Sequence, residues 1–319
     1  MKNSYELLNS DLLKKRDYLN KIDYWLSVMN RTQGWHYDLD IIWLIKNLKK
    51  YNINEGSTIL DAGAGLGITQ FILASMGFNI ISLDFSKREI PQLSKNIFEI
   101  DIDDQKIKGY KHDYMGSVNY NGYSKSDNYI NKLIDVLFKK NFEEKIFLLK
   151  SILSNSYNKV FNILEKKKNH KNFGKIKFIR APFHDIPLKN NEVDSIVSVS
   201  ALEHSDLNLL TKNLKEFKRV TKKNNPILIT TSSTSKSNDI YHDKTKGWCF
   251  SKKTLDKIIS SKENIEFGYY DVEQNLLDNK LFRKRIPSYY TSDPESEFYK
   301  SSFDHLPYLP VGIKIFGDK

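Results

Sequence analysis

Cysteine is almost absent from this chain of 319 residues. The single cysteine, Cys249, excludes an internal disulfide framework and any zinc site built from several cysteines. We expect it to be a buried structural residue, and we expect no metal site.

Long apolar runs are also missing. No stretch approaches the roughly 18 apolar residues that a membrane-spanning helix needs, although 39% of the residues are apolar. Residues 1–6 lack the apolar core of a signal peptide. We therefore expect a cytoplasmic protein without a membrane span.

Arginine is scarce among the basic residues, at 7 of 50, while the formal net charge is +11. Such a charge invites a nucleic-acid hypothesis. Arginine, however, is the planar side chain that grips phosphate groups bidentately. The richness in Asn, Ile, Lys and Tyr indicates a general compositional bias instead. Nucleic acid is an alternative partner, and a solvated, lysine-rich exterior is favoured.

Short aliphatic runs alternate with helical patterns from residue 55 onward. Ser57–Asp61 and Phe78–Asp84 predict strands, and Ile68–Met76 predicts a helix between them. This unit implies a parallel pair with a right-handed crossover. Further strands are predicted at 175–180, 193–199, 226–230, 265–272 and 311–316. The pattern predicts a doubly wound α/β fold, with a mostly parallel seven-stranded sheet and helices on both faces.

Two regions do not follow this alternation of strand and helix patterns. Residues 1–54 are interpreted as an N-terminal helical segment, because apolar residues recur there at helical spacing. Residues 55–319 then form the main domain, interrupted at about 101–175 by a loop and a helical pattern. We interpret the interruption as an inserted helical lobe, either packed beside the sheet or serving as a lid or substrate wall.

The turn after the first of these strands carries the strongest chemical signal. Gly63, Gly65 and Gly67 let the backbone approach a ligand closely, at the strand end where open parallel sheets bind ligands. Asp84 ends the neighbouring strand, where a carboxylate can accept hydrogen bonds from both hydroxyls of a ribose. The arrangement predicts a site for a nucleoside-bearing ligand.

A dinucleotide site uses the same architecture, but its fingerprint needs a glycine where Ile68 stands. Asp61 would also place a negative charge beside a pyrophosphate. The same carboxylate suits a ligand that bears an ammonium and a sulfonium. These residues favour S-adenosylmethionine over a nicotinamide dinucleotide.

The segment 59–67 resembles the first motif of the class I S-adenosylmethionine-dependent methyltransferases, and Asp84 matches their ribose-binding acid. Segments 181–188, 193–197, 201–204 and 247–251 are similar to later parts of the type 11 group. The resemblance covers about 55–100 and 175–260. It implies a Rossmann-like fold, S-adenosylmethionine as the cofactor, and cofactor contacts from Asp61, Gly63, Ala64, Gly65, Gly67, Asp84, Phe85, Phe183 and Ser200.

The chain departs from the family pattern at Pro182, where members often have an acid that receives the adenine amino group. His184 and Asp185 are the candidates to replace that acid. The backbone N–H of Phe183 is the further contact that the resemblance implies for the adenine ring.

Glu203 and His204 follow a predicted strand beside the cofactor crevice and are the candidate catalytic residues. His204 can serve as a general base, since histidine titrates near neutral pH. The alternative is that both residues begin the next helix and serve packing or hydrogen bonding.

Two further groups are candidates for ligand contact. Trp35, His36 and Tyr37 could close over the cofactor or form an aromatic cluster. A second polar stretch could bind a carboxylate, phosphate or sugar, or lie in solvent, and contains Arg283, Arg285, Tyr289 and Tyr290.

The leading hypothesis is methyl transfer to an oxygen or nitrogen of a small-molecule acceptor such as a sugar, a lipid precursor or another metabolite. The alternatives are an RNA or protein methyltransferase and a non-catalytic cofactor-binding module. Residues 198–201 lack the Asp/Asn-Pro-Pro-aromatic pattern typical of amino-directed base methylases, and no cysteine nucleophile stands there. The sequence fixes neither the acceptor nor the oligomeric state.

Overall fold

The strands of the protein are short aliphatic runs that assemble into one open sheet. The computed structural model describes residues 1–88, 90–103, 172–243, 245–260, 267–287, 290 and 304–317. The strands of the main sheet are β1 (Ser4–Leu7), β2 (Thr58–Ala62), β3 (Asn79–Asp84), β4 (Ile100–Asp103), β5 (Ile176–Arg180), β6 (Ser195–Val199), β7 (Pro226–Ser233) and β10 (Leu309–Phe316). A separate hairpin pairs β8 (Ile240–His242) with β9 (Gly247–Cys249).

The order of strands across the main sheet is β1-β10-β7-β6-β2-β3-β5-β4. Neighbours from β7 to β4 are parallel, whereas β10 is antiparallel to both β7 and β1. The carboxyl ends of β2, β3, β5 and β6 therefore meet at one edge, where open α/β sheets bind their ligands.

The helices cover both faces of this sheet. Their bounds are α1 (Arg16–Met29), α2 (Tyr37–Lys50), α3 (Thr69–Ser75), α4 (Gln92–Ile97), α5 (Leu210–Val220), α6 (Lys252–Ile259), α7 (Tyr269–Asp278) and α8 (Lys280–Arg285). Short 3₁₀ segments occupy Ser10–Lys14, Leu202–His204 and Leu207–Leu209.

Successive strand residues point to opposite faces and feed two hydrophobic clusters. Ile59 packs with apolar residues of α1, α2 and α3, whereas its neighbour Leu60 packs with those of α5 and α6. The predicted mostly parallel sheet, with helices on both faces, is confirmed.

The sheet has eight strands, one more than predicted. The chain around Tyr5, interpreted as helical from its leucine spacing, is β1, and it pairs with β10 from Ser4↔Lys314 to Leu7↔Val311. Asp103 ends a second unpredicted strand, β4, which pairs with β5. Conversely, the prediction of a strand at 265–272 is wrong for the described residues 267–272, because α7 begins at Tyr269. Pairing with a distant strand overrides local periodicity in β1.

Helices do occupy much of the remaining N-terminal segment, from Arg16 to Met29 and from Tyr37 to Lys50. The inserted lobe expected at about 101–175 lies largely outside the described residues, which stop at Asp103 and resume at Asn172. Among the described residues, none of the helices combines the length and apolarity that crossing a membrane requires.

An ion-pair network fastens α8 to the N-terminal helices. Arg285 donates from Nε to Asp38 Oδ2 at 2.5 Å and from Nη2 to Asp23 Oδ1 at 2.6 Å. The Asp38 side chain is 6% exposed and that of Arg285 19%. Removing one partner of such a pair leaves the other charge buried without compensation.

We expect Arg285→Ala to destabilise the fold by about 3–5 kcal/mol, because Asp38 would keep a buried charge with no cationic partner. Chemical unfolding in urea measures the change. The matched control is Lys14→Ala, which breaks an exposed pair with Asp11 and should cost less than about 1 kcal/mol. Equal costs for the two variants would contradict a structural role for Arg285.

Candidate active site

A cavity of about 310 Å³ lies at the shared edge of β2, β3, β5 and β6. Its volume is at the lower end of the range of small-molecule sites. All nine residues that the resemblance assigned to the cofactor line it, namely Asp61, Gly63, Ala64, Gly65, Gly67, Asp84, Phe85, Phe183 and Ser200. The structure therefore brings together residues from four separate parts of the chain.

The glycine turn is held against the neighbouring strands by its backbone. The N–H groups of Gly63 and Ala64 both donate to the carbonyl of Leu83, at 2.8 and 3.1 Å. Gly63 has φ +77°, and a Cβ there would lie 2.4 Å from the Cβ of Ala201 and 2.8 Å from Phe183 Cζ. Glycine is required here both by the dihedral angle and by the close approach of β6 and the segment after β5.

A series of side-chain hydrogen bonds also holds the glycine turn, through the carbonyl of Gly67. Arg88 donates to Ser82 Oγ at 2.6 Å, and Ser82 Oγ donates to Gln70 Oε1 at 2.5 Å. Gln70 in turn donates to the carbonyl of Gly67 at 2.9 Å. Sequence reasoning missed these three residues, because none lies in a motif and their contacts join β3, α3 and the segment after β3.

Asp84 is already engaged by its surroundings. Its Oδ2 accepts from the N–H of Gly65 at 2.7 Å, and its Oδ1 accepts from both the N–H and the hydroxyl of Ser86 at 2.8 Å. A carboxylate offers about four lone-pair positions. One remains on Oδ2, and rotation of the Ser86 hydroxyl would release a second on Oδ1.

Asp61, unlike Asp84, has a carboxyl oxygen that accepts no hydrogen bond from the described residues. This oxygen is Oδ2, and Asp61 is 1% exposed. Burial raises the pKa of this carboxyl to about 7, with Arg88 acting to lower it and Asp84 to raise it. An unpaired carboxylate oxygen in a ligand cavity fits a cationic group of a ligand and disfavours a pyrophosphate.

The N-terminal segment supplies one wall of the cavity through Thr32, Gln33 and Tyr37. Of the aromatic trio considered from the sequence, only Tyr37 lines the cavity. Trp35 and His36 lie behind it, where Trp35 Nε1 donates to the hydroxyl of Tyr308 at 3.2 Å. The wall is continuous with the α2 residue Asp38, since Gln33 Nε2 donates to Asp38 Oδ1 at 2.7 Å.

Glu203 and His204 face different surroundings. Glu203 is buried outside the cavity lining and accepts from the hydroxyls of Ser200 at 2.6 Å and Thr231 at 2.8 Å. Ser200 has φ +46°, a strained conformation for a side-chain-bearing residue. The structure thus places Glu203 outside the cavity lining, where it binds the side-chain hydroxyl of Ser200.

His204 lines the cavity. Its Nδ1 lies 3.0 Å from the carbonyl of Lys246. A carbonyl only accepts, so Nδ1 carries the proton and Nε2 is the basic nitrogen of the neutral ring. Gly247 packs closely on the imidazole, since a Cβ there would lie 3.1 Å from Cε1. The β8–β9 hairpin therefore fixes the orientation of the ring.

The polar stretch that contains Arg283 and Arg285 lies outside the cavity. Arg285 is committed to Asp23 and Asp38, and Arg283 donates to the carbonyl of Leu277. Tyr289 is outside the described residues. Neither Arg283, Arg285 nor Tyr290 lines the cavity. Cys249 is buried, as expected for a structural cysteine.

Asp61 predicts a pH-dependent stability. Its pKa is raised from 3.8 to about 7, so the folded state holds a proton that the unfolded state loses between those pH values. Wild-type stability should therefore fall through this window as the pH rises. Relative to wild type, Asp61→Asn should gain on the order of 3 kcal/mol between pH 4 and 8.

Urea unfolding across this pH range measures the effect. The control is Asp101→Asn on β4, which removes a carboxyl whose side chain is exposed. A difference between Asp61→Asn and wild type that stays flat with pH would show that the Asp61 carboxyl is not perturbed.

Residues 150–229, which include β5, β6, α5 and the start of β7, match the family described as a methyltransferase domain. No curated protein matches the chain. Solved structures with a similar fold include a methyltransferase of Aquifex aeolicus, with 19% identity, 68% of this chain and 76% of the other covered, and a TM-score of 0.33.

Two others were solved with S-adenosylhomocysteine. The phosphoethanolamine N-methyltransferase 2 of Haemonchus contortus has 11% identity and a TM-score of 0.46. The match covers 97% of this chain and 60% of that protein. The 1,6-didemethyltoxoflavin-N1-methyltransferase of Burkholderia thailandensis has 10% identity, coverages of 96% and 88%, and a TM-score of 0.43.

The family match lies beyond the glycine turn, so the two are independent signals on one sheet. The unpaired Asp61 oxygen and the space kept open by Gly63 fit the cofactor that the turn predicted. Residues 150–229 thus match a methyltransferase domain, and the geometry of the site fits S-adenosylmethionine as the cofactor.

Proposed function

We propose that the protein methylates an oxygen or nitrogen atom of a small-molecule acceptor, with His204 as the general base. The observation that carries this proposal is that His204 lines the same cavity as the glycine turn, Asp61 and Asp84. A base and a cofactor crevice that share one cavity can serve one reaction. S-adenosylmethionine, when bound, supplies an electrophilic methyl group on a sulfonium that leaves as a neutral thioether.

The cofactor-binding residues divide by chemistry. Asp61 Oδ2 is the partner for the ammonium group, because it is buried and otherwise unpaired. Asp84 accepts from the ribose through the lone pairs that Gly65 and Ser86 leave available. Gly63, Ala64, Gly65 and Gly67 give backbone access, while Phe85, Phe183 and Ser200 form the surrounding wall. His204 is left for the acceptor.

His204 acts on the acceptor through Nε2. Holding the acceptor in line with the methyl group lowers the entropic part of the barrier. Removing the proton from a hydroxyl or an ammonium makes the nucleophile competent. Because Lys246 fixes the proton on Nδ1, the ring presents a basic nitrogen without first having to change tautomer. Glu203 contributes by positioning Ser200, not by touching the reacting atoms.

The size and cover of the cavity support a small acceptor. About 310 Å³ has to hold the reacting ends of both ligands. Thr32, Gln33 and Tyr37 cover one side of it, and Thr245 belongs to the wall near His204. A cavity of this size favours a metabolite over a folded protein or a duplex.

The direct test supplies methyl-labelled S-adenosylmethionine together with either a pool of metabolites or a fraction of RNA and protein. We expect label in the metabolite pool alone. Asp84→Ala should lower S-adenosylhomocysteine affinity by about a hundredfold, because a charged acceptor of the ribose hydroxyls is lost. Asp101→Ala, on exposed β4, is its matched control.

Three results would overturn the proposal in different ways. Label in RNA or protein would establish the macromolecular alternative. Binding of S-adenosylhomocysteine without turnover on either pool would favour a non-catalytic module. Unchanged affinity in Asp84→Ala would remove the ribose assignment.

For His204, we expect His204→Gln to lower kcat by about 10²–10⁴-fold. Affinity for S-adenosylhomocysteine should stay the same, since the cofactor contacts lie elsewhere in the cavity. A variant that loses stability while keeping kcat would support the packing role.

A further inference from the structure

Asn213 is a buried polar residue that the proposed reaction does not yet use. It lies in the first turn of α5, is 2% exposed and lines the cavity. Its Oδ1 makes no hydrogen bond within the described part of the chain. Leaving a buried amide oxygen unpaired costs about 1–3 kcal/mol, and such a group in a ligand cavity calls for a functional explanation.

The surroundings of Asn213 locate it within the cavity. Phe217, one helical turn further along α5, packs edge-on against Phe183 with ring centroids 5.4 Å apart. The same face of α5 is therefore against the segment that follows β5. Leu209 also lines the cavity, just before α5. Asn213 thus lies on the face of α5 that packs against the segment after β5, and it shares the cavity lining with residues 182–184.

This region of the cavity lies next to the ribose acceptor Asp84, because β3 and β5 are neighbours and Asp84 pairs with Arg180 in the sheet. It is the part of the cavity where the base of a nucleoside would extend beyond its ribose. Pro182 offers no side-chain hydrogen-bonding group there, and Asp185 does not line the cavity. His184 does line it, but it lacks the permanent carbonyl acceptor of an amide.

We propose that Asn213 Oδ1 accepts a hydrogen bond from the 6-amino group of the cofactor's adenine, which makes Asn213 a specificity-determining residue for the base. The assignment rests on the proposed cofactor site. An amide can present either its oxygen or its nitrogen. The orientation with the oxygen towards the ligand is the one that discriminates in favour of an amino group.

The test compares two ligands, S-adenosylhomocysteine and its analogue with hydrogen in place of the 6-amino group. Wild-type protein should bind the first about ten- to a hundredfold more tightly, since the analogue leaves the amide oxygen unpaired. Isothermal titration gives both dissociation constants. For each variant we compare the ratio of the two dissociation constants. An effect of the substitution on the rest of the cofactor site changes both constants equally and cancels in this ratio.

Two substitutions at Asn213 separate the acceptor role from packing. Asn213→Leu has a similar volume and no acceptor, so the affinity ratio should fall to near one. Asn213→Asp keeps an acceptor and removes the donor, so it should preserve the preference. Thr211→Ala, exposed on the same helix, is the control and should match wild type.

A wild-type ratio near one would overturn the proposal, even if the leucine variant fails to fold. So would an unchanged ratio in Asn213→Leu, or a lost preference in Asn213→Asp, which would show the amide nitrogen facing the ligand. Failure of the cofactor assignment itself looks different, because wild-type protein would then bind neither ligand.

Discussion

The close approach of the glycine turn to its neighbours is the constraint on which the rest of the site depends. Gly63 and Ala64 share the carbonyl of Leu83, and Gly63 leaves no room for a side chain against Ala201 and Phe183. The turn after β2 thereby contacts β3 through backbone hydrogen bonds, and it packs against side chains of the segments that follow β5 and β6. Asp61 and Asp84 inherit their separation from this geometry, since each lies at or next to the end of a strand that the turn joins.

The cofactor part of the site could be predicted because its residues lie next to strand ends. A parallel sheet brings such ends together whatever the loops do, so Asp61, Gly63 and Asp84 needed only a correct strand assignment. The surroundings of the carboxylates could not be predicted in this way. Ser86 and Gly65 occupy three of the lone-pair positions of Asp84, while Asp61 Oδ2 is left without a partner.

Features that depend on distant contacts escaped the sequence. The leucines of the N-terminus have helical spacing, yet β10 offers an open edge and Ser4–Leu7 pairs with it. Arg285 looks the same in sequence whether it meets a substrate or Asp23 and Asp38. Glu203 and His204 are adjacent, but Glu203 accepts hydrogen bonds from the hydroxyls of Ser200 and Thr231, whereas His204 lines the cavity. In each case a partner far along the chain decides the role.

The pairing of β1 with β10 also has a consequence for how the chain folds. Ser4 and Lys314 lie at opposite ends of the sequence, and β10 must first insert between β7 and the incoming β1. Contacts of such high sequence separation carry a large loop-closure cost and form slowly. On a ribosome, which releases the N-terminus first, β1 has to wait for the synthesis of almost the whole chain. Until then the edge of β7 is open to pairing with other strands, and this edge is where misassembly of the nascent protein would begin.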